Sequence, residues 1–100
     1  MKLQTASQTG VGASDPIVMN LNVTPFNVGF GVITTGSVDY TVQHTFDNPF
    51  VALSTWFNHP TVVGQIADAD GNYAFPVTAI RVVMNAGDGT VELKLIQAGI

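Results

Sequence analysis

The sequence predicts an all-β fold: a two-layer antiparallel β-sandwich, jelly-roll-like, with an extended N-terminal arm. Residues 37–46 alternate strictly, with Val38, Tyr40, Val42, His44 and Phe46 on one face of an extended strand and Ser37, Asp39, Thr41, Gln43 and Thr45 on the other. The same period of two returns in further segments. No stretch keeps apolar residues at i, i+3, i+4 and i+7 for long enough to make a helix.

Residues 1–16 are rich in Gln, Thr, Ser and Gly and end at Asp15-Pro16, so they offer little to a core. They read as an arm that orders against a neighbouring molecule, and residues 17–100 as the sandwich domain. Ile17, Met19, Leu21 and Val23 alternate with Val18, Asn20, Asn22 and Thr24 in a first strand, which Pro25 ends by removing a donor.

Phe26, Val28, Phe30 and Val32 then share a face, with Asn27, Gly29 and Gly31 opposite, where small residues allow another backbone to approach or mark a bulge. Thr34-Thr35-Gly36 leads into the 37–46 strand, which predicts a hairpin over 26–46. A three-residue loop pairs Val32 with Val38 and Phe30 with Tyr40, with Gly36 left-handed in a G1 bulge.

From Asp47 to Gly71 the pattern breaks up, with short strands expected near Leu53–Phe57 and Thr61–Ile66. A second hairpin is expected over 77–97 around Gly87-Asp88-Gly89. It sets Ile80, Val82 and Met84 opposite Leu95, Leu93 and Val91, and Arg81 opposite Lys94 and diagonal to Glu92. The expected core is Val28, Phe30, Val32, Val38, Tyr40, Val42, Ile80, Val82, Leu93 and Leu95.

Charged residues are 10% of the chain, against about 25% in ordinary soluble domains, while apolar residues are 46%. So sparsely charged a surface predicts cover by other subunits and a homo-oligomer. Lys2, Arg81 and Lys94 are the only strong cations against seven acids, too few to neutralise a phosphate backbone, so nucleic acid is not expected as a partner. The absence of cysteine excludes disulfides, thiolate nucleophiles and Cys-ligated zinc. No apolar leader and no run long enough to span a bilayer is visible, which predicts no membrane partner and a chain made and kept in a cytosol.

Asp68-Ala69-Asp70-Gly71-Asn72 begins like an EF-hand loop, but glycine falls too early and Ala79 stands where the bidentate glutamate belongs. A hairpin-type turn with Asx side chains bonded to backbone is favoured over weak Ca²⁺ binding at Asp68, Asp70 and Asn72, and no metal or cofactor is expected. His44 lies on an inward face, where a satisfied imidazole is commoner than a ligand; His59 precedes Pro60 and is expected to be extended in a loop. No nucleophile elbow, phosphate-cradling loop or paired-carboxylate signature is present, so the chain is not expected to be an enzyme. Trp56-Phe57 and Tyr73-x-Phe75 fit a stacking platform for a sugar or base less well than a subunit interface, because one of two adjacent strand aromatics goes to the core. The expected interface residues are Trp56, Phe57, His59, Tyr73 and Phe75.

Tyr40-Thr-Val-Gln-His-Thr-Phe-Asp-Asn-Pro, Thr55-Trp-Phe-Asn-His-Pro, Asp70-Gly-Asn, Phe75-Pro-Val-Thr-Ala-Ile-Arg81 and Thr90-Val-Glu-Leu-Lys-Leu-Ile-Gln97 resemble segments of small virion-associated proteins of tailed bacteriophages. The resemblance covers roughly residues 31–97, and its motifs are structural rather than catalytic. It implies a small sandwich present in many copies in the virion, assembled in the bacterial host cytoplasm. The first expectation is a capsid decoration or cement protein bound to the major capsid protein and to copies of itself, its arm adding a strand to a neighbour's sheet. The second is a tail or head-fibre module that trimerises or binds a host-surface glycan.

Overall fold

The computed structural model describes residues 2–21, 26–50 and 54–97. Nine strands occur among them, and no helix: β1 (Lys2–Thr9), β2 (Gly12–Ala13), β3 (Ile17–Val18), β4 (Val28–Thr35), β5 (Asp39–Thr45), β6 (Trp56–Asn58), β7 (Ala69–Tyr73), β8 (Ala79–Ala86) and β9 (Thr90–Gln97). They form two antiparallel sheets packed face to face, one ordered β1-β9-β4-β7 and the other β2-β8-β5-β6, with β3 also on β8. The molecule is the expected all-β sandwich.

The two expected hairpins do not form. β4 pairs with β9, Val32 opposite Leu93 and Phe30 opposite Leu95, while β5 pairs with β8, Val42 opposite Val82. Residues 28–45 and 79–97 are thus two strands of one ribbon, which crosses from the first sheet to the second at a shared corner. The register continues across that corner, from Thr35 opposite Thr90 to Asp39 opposite Ala86, with a bulge at Asp39/Tyr40. A hairpin and an arch bury the same alternate residues, so the hydrophobic period does not choose between them. Gly36 does take the left-handed conformation, φ 81°, but at this corner rather than in a G1 bulge.

The corner itself explains the glycines of 87–89. Gly89 N–H donates to Ser37 O at 2.9 Å, and Gly10 N–H donates to Gly89 O at 3.1 Å. A methyl group on Gly89 would collide with Thr35 O and stand 2.8 Å from Ser37 O; one on Gly87, whose φ is 99°, would collide with Ser37 O. These residues are small because a second chain passage lies against them, not because a tight hairpin turns there.

Residues 2–19 also depart from expectation. β1 pairs residue for residue with β9, from Lys2 opposite Gln97 to Thr9 opposite Thr90; β2 and β3 then follow β8 through Gly12 opposite Met84 and Ile17 opposite Ile80. The segment is extended, but it orders on its own molecule and edges both sheets. Ser14 is buried there, its N–H donating to Val82 O and its hydroxyl accepting from Val82 N–H. Of the described part of the expected 17–24 strand, residues 17–21, Ile17–Val18 is strand and Leu21 is exposed; residues 22–25, Val23 and Pro25 among them, lie outside the described residues. The carboxamide of the buried Gln97 ties this stretch down, accepting from Asn20 N–H at 2.9 Å and donating to Asn20 O at 2.7 Å.

All ten expected core residues are buried, joined by Met19, Tyr73, Val77, Met84 and Val91 among others. Each fully buried large side chain contributes about 1.5–3 kcal/mol through the apolar area it removes from water. Arg81 lies opposite Gln43, not Lys94, and Lys94 lies between Thr5 and Gly31 in the other sheet. Of the expected strand near Leu53–Phe57, Leu53 lies outside the described residues and the strand observed is Trp56–Asn58; Thr61–Ile66 is irregular apart from one bridge, Gln65 to Tyr40. The expected turn at Asp68–Asn72 is a strand instead, because β4 offers Val28 to Val32 as pairing partners for 69–73.

Candidate functional site

β5 runs from the glycine corner toward the opposite end of the sandwich, and its inward row ends in His44 and, one step past the strand, Phe46. The β5–β6 register sets Phe57 directly opposite His44, so both point the same way. β7 ends at Tyr73, and the chain then places Phe75 against the same group. The rings pack around His44: Tyr73 at 4.9 Å, Phe46 and Phe75 at 5.5 Å each and Phe57 at 6.0 Å between centroids. Phe46 also touches Phe57 at 5.7 Å and Phe75 at 6.2 Å.

Exposure divides the cluster into a floor and a rim. His44 and Tyr73 are buried, while Phe46, Phe57 and Phe75 remain 53, 48 and 42% exposed. Three half-open phenyl rings, with Phe46 touching both of the others, form a continuous apolar surface, which single scattered hydrophobics do not. The strand end beneath Phe46 is pinned by polar contacts: Thr78 N–H and Oγ1–H donate to Thr45 O, Asp47 N–H donates to Thr45 Oγ1 at 3.1 Å, and Thr55 N–H donates to Asp47 Oδ2 at 2.8 Å.

The floor is held by hydrogen bonds. His44 Nδ1 and the Tyr73 hydroxyl are joined at 2.8 Å. Burial, and after it the nearby His59, hold the His44 pKa below the ordinary histidine value, and burial raises that of the Tyr73 phenol. His59 lies in the irregular segment after β6 and is buried. Its Nδ1 accepts from the Thr61 and Val62 amides at 3.2 and 3.1 Å, so the proton sits on Nε2, which donates to Asn72 O at 3.1 Å. His59 thereby links the segment after β6, in one sheet, to β7 in the other, beside Tyr73 and Phe30 at ring separations of 5.0 and 5.1 Å.

The five expected interface residues therefore part company. Phe57 and Phe75 form the rim, Tyr73 and His59 support it from inside, and Trp56 lies on the outer face of its sheet. Neither Trp56 nor Phe57 enters the core. The Arg81 guanidinium stacks 4.0 Å above the Trp56 ring and donates twice to Gln43 Oε1, and Gln43 in turn donates to Asn58 Oδ1 at 2.9 Å. Phe46 is the rim residue that alternation alone assigns to the interior. Its signal in the sequence is its place immediately before Asp47-Asn48-Pro49, where the strand must stop and no partner strand covers its last inward residue.

The acidic segment is not arranged around an ion. Asp68 Oδ1 accepts from both Thr34 N–H and Thr34 Oγ1–H at 2.8 Å, which lowers its pKa, and 69–73 is straight strand rather than a wrapped loop. No cluster of three His, Cys, Asp or Glu side chains suited to a metal occurs among the described residues. Two shallow depressions of about 340 Å³ each lie on the outer face of the first sheet and meet at Gly31 and Lys94, where the β4 glycines leave the surface low. No protein-family model matches this chain, and no curated protein matches it.

Proposed function

We propose that this chain is a virion structural protein of a tailed bacteriophage, a capsid decoration or cement protein that docks on the major capsid protein through the Phe46–Phe57–Phe75 rim. The observation that carries the reading is the rim itself: three contiguous half-exposed phenyl rings on a buried, hydrogen-bonded floor. Aromatic side chains bury much apolar area with few rotors to freeze, and so serve as anchors of protein contacts. The scarcity of charge, 10% of residues, and the sequence resemblance over residues 31–97 support the same reading. Weak single contacts suffice when many copies bind one shell.

The exposed rings also favour a second reading, a tail or fibre module whose rim stacks on a host-surface glycan. Co-sedimentation separates the two. The decoration reading expects the protein to pellet with assembled shells and not with free coat subunits, and F57S/F75S to lose that binding while still folded. Unchanged binding of F57S/F75S would overturn the rim as the docking surface, and rim-dependent binding to host cells in place of shells would replace cement by fibre.

A further inference from the structure

We propose that the outer edge of β1 pairs with β1 of a second copy, antiparallel about a two-fold axis normal to the sheet, so that two four-stranded sheets join into one. A strand at a sheet edge turns alternate N–H and C=O groups outward, and only another extended chain satisfies a row of them. Sheet edges in monomers are usually blunted, and the other edges of this molecule are. β6 is three residues long. β7 is five, carries Asp70, and its Asn72 carbonyl is already taken by His59. The N-terminal edge of the second sheet is split into β2 and β3, two residues each, with Pro16 between them.

β1 has none of these devices. It runs eight residues, Lys-Leu-Gln-Thr-Ala-Ser-Gln-Thr, in unbroken register with β9, with no proline, no bulge and one charged residue at its end. Among the described residues no strand pairs with its other side.

Charge selects a second copy as the occupant. The chain carries a net charge of −4, yet none of its seven acids lies on β1; Asp68 and Asp70 lie by the far edge, and on the neighbouring strand Glu92, opposite Ser7, is paired at 3.5 Å with Lys94, opposite Thr5, which leaves this edge locally neutral. The β1 edge is where two copies of this acidic molecule meet with least repulsion. The two-fold arrangement keeps the exposed row Leu3, Thr5, Ser7 and Thr9 of both copies on one face and covers Leu3, which is 59% exposed beside Ile96. This contact follows from strand geometry and does not depend on the virion reading.

The test is sedimentation equilibrium of the purified chain, with amide hydrogen exchange at low and high concentration. The expected result is a monomer–dimer equilibrium, with concentration-dependent protection at alternate amides of residues 3–9. T5E places an exposed carboxylate beside the exposed Lys94–Glu92 pair of its own molecule, so the melting temperature should change little, whereas two copies add like charges on either side of the axis and the dimer dissociation constant should rise several-fold. A monomer at all concentrations up to millimolar would overturn the proposal. So would a dimer protected at β7 or at the aromatic rim with β1 unchanged, or one that T5E does not weaken.

Discussion

The two ends of the sandwich are closed by opposite means. At one end four glycines, Gly10, Gly36, Gly87 and Gly89, let three chain passages turn from sheet to sheet in close backbone contact, hydrogen bonded through Gly10 and Gly89 and with no room for a methyl group at Gly87 or Gly89. At the other end the sheets are plugged by rings, and the outermost of these, Phe46, Phe57 and Phe75, stay half open to solvent. The glycine corner closes by backbone contact, with Val11, Ser37 and Asp88 exposed beside it. The aromatic end has rings in excess of what its core needs. Close backbone packing marks the first end, and exposed aromatic surface the second.

That contrast is most exposed to test at Gly89. G89A puts a methyl group against Thr35 O and Ser37 O, and backbone oxygens cannot rotate aside. A loss of about 3 kcal/mol or more is expected in chemical denaturation, from overpacking and forced backbone shift together. A loss under about 1 kcal/mol would mean that the corner is looser than its contacts imply.

A smaller effect is expected at the floor of the aromatic end. Y73F removes the hydroxyl bonded to His44 Nδ1 and should cost about 0.5–1.5 kcal/mol at neutral pH. His44 has a folded-state pKa below its unfolded value, so the unfolded chain binds the proton more readily. Its contribution to stability is complete above about pH 6.5 and is lost as the pH falls from there toward the lowered folded pKa. Melting temperature followed from pH 7.5 to 5 should therefore fall, and fall less steeply in H44Q. Equal slopes for the two proteins would detach the pH response from His44.

The smallest effect on folding is expected at the rim. F75S should change stability by under about 1 kcal/mol, since the ring is 42% exposed, and F46S likewise. If either variant unfolds the chain, the rim is a structural plug rather than a surplus surface, and the comparison between the two ends fails.

Much of this molecule was legible from the period of two. Val28, Phe30 and Val32, then Val38, Tyr40 and Val42, then Ile80 and Val82, then Leu93 and Leu95 all face inward as their alternation requires. Alternation is a local property, because successive side chains of an extended chain must point to opposite faces whatever lies alongside. Strand partners are not local. Val32 meets Leu93 across the sheet rather than Val38 through a turn, because bending the whole ribbon buries the same residues and leaves the corner glycines to stack. Residues 2–9 contain too few apolar side chains to announce a strand, yet the unpaired side of β9 supplies a ladder that a polar sequence can complete with backbone alone.

The aromatic site divides in the same way. The residue types and the inward placement of His44 could be read from the chain, but the meeting of Phe46, Phe57, Tyr73 and Phe75 around it could not. The sequence by itself determined which residues turn inward along each strand, since that follows from backbone geometry one residue at a time. Only the tertiary structure decided which strands lie side by side and where an inward row runs out of sheet to cover it, since both depend on packing between segments some 50 residues apart.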